Sequence, residues 1–343
     1  MTRPGSAPAT ARGPAPDPAT ARRVRHLLRW YPGSWRERYG EEFTELLLAD
    51  LAEQPRAWRH TANVARCGLA ARLAAAGLAG YPADPAAGTR ACLGTLTCSL
   101  AVFLTVGTTM WAQLAVAWQW APPASAATTV AMLLMSGSLL LLAVLALLAA
   151  IPASWAAIRA SVRHQAARLR GPAALAGAGV LVLAIGARHF GNGWPGTGGH
   201  WWPHQGLAPG GIAAFGWAAT LSVTAYWAHP AALASFPLAE LIWMLLSPAA
   251  MLCLATGAVQ LVRRLEVPAR VLRYETWLGR AAVAGMIVFL SGALCWVSQG
   301  GPVQALFHAG GIDAGGLAVL AAALATGGRA ASRAKLVSAA GPR

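Results

Sequence analysis

Residues 128–170 decide how this chain is read: TTVAMLLMSGSLLLLAVLALLAAI, then PASWAAIRASVRHQAARLR. The first 24 of these residues carry no charge. That is enough to cross a bilayer core, which takes about 20 residues in a helix. The segment after it holds Arg159, Arg163, Arg168 and Arg170 and no acid. An uncharged run followed by a basic gap is the pattern of a membrane span that ends on the cytoplasmic side.

The same alternation continues on both sides. Candidate spans lie at 91–118, 128–151, 172–187, 238–262, 279–297 and 312–326, with a further apolar run at 212–227. If the run at 212–227 does not cross, 26 of the 27 Lys+Arg residues fall on one side, and only Arg188 is outside. If it crosses, the split is 17 to 10. The positive-inside rule selects six crossings with both termini cytoplasmic. The run at 212–227 is then a re-entrant or interfacial segment, with its backbone covered by protein or water.

Composition agrees with this reading. The chain is 56% hydrophobic and 11% charged, whereas soluble domains carry about 25% charge. The fold class expected is all-α: a polytopic helical membrane protein with a small cytosolic helical head. Its parts are a disordered Pro/Ala-rich tail at 1–19, the head at 20–80, the transmembrane domain at 91–327 and a basic cytosolic tail at 328–343. The net charge of +15 reads as a membrane-surface signal, because the groove-reading motifs of nucleic-acid proteins are absent. A single Lys, Lys335, among many Arg and Ala points to a GC-rich, bacterial genome. Five Cys without a C-x-x-C pair suggest neither a zinc ribbon nor a redox pair.

Three helices are expected in the head. Asp17-Pro18 opens the first, which runs to Tyr31 and breaks at Pro32-Gly33. Ser34 and Glu37 fit a capping box for the second. Its apolar stripe is Trp35, Tyr39, Phe43, Leu46, Leu47 and Leu51, at helical spacing. The third places Trp58, Ala62, Ala65, Leu69 and Leu73 inside, with Arg56, Arg59, Arg66 and Arg72 outside. The stripes of the second and third helices are expected to bury each other as a hairpin. The basic third helix also suits an anionic lipid surface.

The segment LRWYPGSWRERYGEEF at 28–43 resembles the L-Y-P-x-x-[WF]-R-x-R-Y-G-E-E element of actinobacterial integral membrane proteins of uncharacterised function. It is similar to the permease prefix region that precedes the first span of some ABC-type permeases. The resemblance covers residues 22–75 and implies a helical head before a membrane domain. The chain departs from those permeases in lacking an identifiable large extracytoplasmic domain and their usual span arrangement.

Chemistry-bearing residues gather in one place, the Trp/His/Gly-rich stretch at 188–210. In the six-span topology His189, His200, His204, His229 and His308 share the outer side with Glu240 and Asp313. His and carboxylate are the ligands of zinc or copper sites. The competing interpretation is an ordered interfacial loop, with Glu240 and Asp313 at helix starts where carboxylates favour the dipole. Glu41 and Glu42, adjacent on a helix, do not converge as a catalytic pair. No P-loop, H-E-x-x-H or G-x-S-x-G occurs. No cofactor and no catalytic residue is therefore expected. The partners expected are the lipid bilayer and a protein bound by the head, with oligomerisation left open. Three functional readings follow: a non-enzymatic membrane protein whose head binds a partner or organises assembly; a permease-like subunit that needs a separate ATPase; and a membrane metal-binding protein or enzyme using the outer His residues.

Overall fold

The computed structural model describes residues 17–53, 58–80, 84–115, 125–160, 166–189, 238–265, 268–299 and 312–339. These residues are helical and contain no strand, so the all-α expectation holds. The chain divides into two compact units, Met1–Ala79 and Gly80–Arg343.

The first unit has three helices: α1 (Pro18–Leu28), α2 (Gly33–Glu53) and α3 (Trp58–Ala75). Helix α1 begins with Pro at its first turn, inside the stretch assigned to a tail. It stops at Leu28, three residues before Tyr31. The chain then tightens, with Arg29, Trp30 and Tyr31 N–H groups donating to the carbonyls three residues back. Helix α2 starts at Gly33, so Ser34 lies in its first turn and not at the cap position. Arg36 N–H instead reaches Pro32 O at 3.0 Å.

The head core differs from a simple α2–α3 hairpin. It is centred on α1, which packs on both other helices. Val24, Leu27, Tyr31, Leu47, Leu51 and Val64 are buried together. Val24, Leu27 and Tyr31 recur at helical spacing, and this short stripe carries the packing. Helix α3 faces inward through Val64 and Gly68, not through the large residues assigned to its core. The reason is steric. A Cβ at Gly68 would stand 2.6 Å from Trp30 Cβ, so only a small-residue face lets α3 approach the end of α1. Trp58, Ala62, Leu69 and Leu73 are exposed, and Ala65 is half-buried. Helix α3 ends in a Schellman motif: Gly77 adopts φ 75°, Leu78 N–H reaches Leu73 O at 2.8 Å, and Gly77 N–H reaches Ala74 O at 2.9 Å.

The second unit has six described helices: α4 (Pro85–Ala115), α5 (Ala126–Ala160), α6 (Ala166–His189), α7 (Leu238–Arg264), α8 (Ala269–Gln299) and α9 (Ile312–Ala339). Among the described residues, five segments are long and apolar enough to cross a membrane: Pro85–Thr108, Ala126–Ala156, Leu169–Gly186, Ala269–Gln299 and Ala314–Val337. The chain is a multi-pass helical membrane protein. The remaining expected span, 238–262, is the 27-residue helix α7, about 40 Å long.

Side-chain pairings fix the directions. Ser99 of α4 bonds Thr326 of α9, and Gly316 lies near Val106, so these helices are antiparallel. Gly292 meets Met135 and Gly285 meets Leu142, so α8 and α5 are antiparallel. Gly179 meets Ala250 and Leu254, and Gly257 meets Ala176, so α6 and α7 are antiparallel. Helix α8 runs parallel to α4: Gly279 meets Leu96, and Phe289 meets Phe103 edge-on at 5.5 Å. Arg263, at the end of α7, lies over Gly94 near the start of α4. Helices α4, α6 and α8 therefore run one way, and α5, α7 and α9 the other. The core lies between α4, α5, α8 and α9, around Phe103, Met135, Leu142, Met286, Phe289 and Leu320.

Helix α9 extends to Ala339 and absorbs most of the expected tail at 328–343. Ala330, Ala331, Ala334 and Val337 continue its buried stripe between exposed Arg329, Lys335 and Leu336. Helix α4 is capped by Asp84, whose carboxylate accepts from Ala86 N–H at 2.9 Å and Ala87 N–H at 3.2 Å. At the other end, Ser125 and Thr128 cap α5 reciprocally: Thr128 N–H to Ser125 Oγ at 3.2 Å, and Ser125 N–H to Thr128 Oγ1 at 2.9 Å.

Candidate functional surfaces

Among the described residues, the buried polar side chains of the second unit are hydroxyls: Thr89, Ser99, Thr128, Ser138, Ser247 and Thr276. Ser99 Oγ and Thr326 Oγ1 share a hydrogen bond at 2.9 Å, and Trp111 Nε1–H donates to Ser136 Oγ at 2.9 Å. Such bonds link helices in lipid at modest strength, about 0.6 kcal/mol on average. They build a scaffold and do not form a charged route.

The described basic side chains sit at one end. Because the helices alternate in direction, the starts of α4, α6 and α8 and the ends of α5, α7 and α9 lie together. Arg90, Arg159, Arg170, Arg263, Arg264, Arg273, Arg329, Arg333 and Lys335 belong to these segments. Arg333 donates to the carbonyl of Gly80. Asp84 sits 3.8 Å from Arg90. Exposed Trp155 and Trp277 lie at the same end, and the Arg159 guanidinium stacks 5.0 Å over Trp155. These two rings suit the headgroup level of a membrane interface. Trp296, towards the other end of α8, joins the core at 5% exposure. Glu275 in α8 is half-buried, and its Oε1 has no hydrogen-bond partner among the described residues.

The expected outer site falls largely beyond what is described. His189 is the last residue of α6, and its side chain lies outside the described residues, as do His200, His204, His229 and His308. The stretch at 188–210 past His189 and the run at 212–227 lie outside them too. Glu240 and Asp313 occupy the first turns of α7 and α9, at the end opposite the Arg residues. Among the described residues no three His, Cys, Asp or Glu side chains group as metal ligands.

The head carries two contrasting surfaces. Helix α2 holds six acids and two Arg. Its Glu37, Glu41, Glu42 and Glu45 are exposed, which is the solvated face expected for Glu41 and Glu42. Helix α3 holds three Arg and no acid. Between them an aromatic cluster fixes the fold: Tyr31 stacks on Trp35 at 4.1 Å, and Phe43 meets Tyr31 at 5.3 Å and Trp35 at 5.2 Å. Tyr31 Oη donates to Val64 O at 3.3 Å. Burial pushes the Tyr31 phenol above its ordinary pKa, and the electrostatic influence of Cys67 adds to the shift. Arg72 donates to Trp30 O at 2.8 Å and also to Arg29 O, tying α3 to the end of α1. Asp50 Oδ2 lies 2.7 Å from His60 Nε2, joining α2 to α3.

Comparison with known proteins adds no name: no family model, curated protein or solved structure matches the chain.

Proposed function

We propose that the chain is a non-enzymatic integral protein of the bacterial cell membrane, with both termini cytoplasmic, whose head binds a protein partner or organises assembly. One observation carries the reading: the head has an acidic face on α2 that the fold does not use. Glu37, Glu41, Glu42 and Glu45 are exposed, and Tyr39 and Leu46 stand beside them. A partner with a basic, partly apolar surface complements that face. The membrane domain supports a scaffold role, because its described interior is closed by apolar packing and hydroxyl bonds. Transport of ions leaves ionisable groups at mid-membrane, whereas here the described Arg and Lys collect at one end and Glu240 and Asp313 occupy first turns at the other. The resemblance of 28–43 to a permease prefix keeps a transporter subunit as the second class.

The test is affinity purification of the full chain in mild detergent, with a Glu41→Lys/Glu45→Lys variant in parallel. A specific protein recovered with the native head and lost with the variant is the expected result. Equal recoveries from both would overturn the proposed face. A stoichiometric ATPase subunit would replace the scaffold reading by the permease-like one.

A further inference from the structure

Helix α3 presents a second face that no described residue of the head covers. Placed at 100° per residue, Trp58, Ala62, Ala65, Leu69 and Leu73 form one stripe. Trp58 is 71% exposed, Leu69 48% and Leu73 40%. The buried face, Val64 and Gly68, lies about a third of a turn to one side. Exposed Arg59 and Arg66 border the stripe on the other side. The Arg59 guanidinium rests 5.7 Å over the Trp58 ring. The far side of the helix shows only Asn63, Cys67, Ala70 and Ala74, all exposed.

An apolar stripe with Trp at one end and Arg along its border is the design of a helix that lies in a membrane interface. Its Arg stems lie along apolar surface while the guanidinium groups reach phosphate. Two further observations select lipid as the occupant. Charge is sorted within the head, since α3 has three Arg and no acid and α2 carries six acids; α3, like α1 with Arg22, Arg23 and Arg25, attracts an anionic surface, and α2 does not. Chain length also imposes proximity. Residues 76–84 alone separate α3 from α4, the first membrane-crossing helix, a reach of at most about 30 Å. We propose that α3 docks the head on the anionic surface of the bilayer, with Trp58, Ala62, Leu69 and Leu73 immersed and Arg59 and Arg66 on lipid phosphates. The acidic α2 face is thereby turned away from the membrane and toward the cytoplasm. This rests on the membrane assignment and on the cytoplasmic head of the proposed function.

The experiment uses the full chain, with its native Cys replaced, reconstituted into phosphatidylcholine vesicles with or without phosphatidylglycerol. Spin labels are placed one at a time at Ala62→Cys, Leu69→Cys and Leu73→Cys on the stripe, and at Asn63→Cys and Ala70→Cys on the far side. Collision with oxygen, which partitions into lipid, is compared with collision with a water-soluble nickel chelate. In anionic vesicles the three stripe positions are expected to favour oxygen and the two far positions the chelate. Arg59→Ala and Arg66→Ala should each lower the docked fraction relative to the undocked about fivefold, and vesicles without phosphatidylglycerol should act in the same direction. Equal chelate access at Leu69→Cys and Ala70→Cys in anionic vesicles would overturn the proposal. Stripe labels shielded from both reagents, whatever the lipid, would also overturn it, and would mark a protein contact. Both leaflets have the same composition, so the result does not depend on which side the head occupies. A failure here is separable from a failure of topology.

Discussion

At the scale of single residues, the head is decided by small contacts more than by large aromatic ones. Leu27 is 2% exposed, whereas Trp35 and Phe43 are half-buried. Leu27→Ala should therefore cost about 3 kcal/mol, within the range for buried Leu. Trp35→Ala should cost less than the ~3–5 kcal/mol of a fully buried Trp. Hydrogen exchange of α1–α3 amides in the full chain gives both values, and a larger loss for Trp35→Ala would contradict this core. Tyr31 adds a pH dependence. Its folded pKa is raised above the unfolded value near 10.0, so the folded state holds the proton more tightly. That contribution is complete below the unfolded value and is lost as pH rises through the folded one. Head protection should fall in alkali, and Tyr31→Phe should flatten that fall. The sequence made the aromatic stripe of α2 visible. It did not reveal Gly68, because a glycine in a helical pattern shows no partner until Trp30 is placed against it.

At the scale of elements, close approach distinguishes glycines that the sequence treats alike. Gly177 and Gly179 are two residues apart in α6. A Cβ on Gly177 meets nothing within 4 Å, whereas one on Gly179 would stand 2.6 Å from Ala250 O and 2.9 Å from Leu254 N. Backbone atoms cannot swing aside as a side chain does. Gly179→Val should thus separate α6 from α7 and destabilise the pair by about 1–3 kcal/mol or more. Gly177→Val should be near neutral. Unfolding of the detergent-solubilised protein by added denaturing detergent ranks the two, and equal midpoints would refute the packing. Helix existence was readable throughout the described spans from length and hydropathy. Helix ends were not: α4 begins at Pro85 and α9 runs to Ala339. Capping by Asp84 and the alanine stripe past Gly327 act on top of hydropathy. The face of α3 was misread for a related reason. A strong apolar stripe marks burial but does not say whether protein or lipid covers it.

At the scale of the whole molecule, charge and packing order the described helices of the second unit alike. Basic residues sort to one side by sequence alone, under a rule about membrane insertion. Helix directions, which depend only on side-chain packing, gather the described basic side chains of α4–α9, Arg90, Arg159, Arg170, Arg263, Arg264, Arg273, Arg329, Arg333 and Lys335 among them, at one end of the bundle. The end of α6 and the start of α7 lie at the opposite end. The start of α4 and the end of α9 share the basic end. Single-Cys variants in a Cys-free background test the arrangement in intact cells. In the proposed orientation Ala126, exposed at the start of α5, is at the outer end, and Leu336, exposed near the end of α9, at the inner one. A membrane-impermeant thiol reagent should label Ala126→Cys at once and Leu336→Cys only after permeabilisation. The reverse order would keep the bundle and invert its orientation. Labelling of both from outside would break the antiparallel order itself, because no arrangement with α9 running against α4 and α8 puts those two positions on the same face of the membrane.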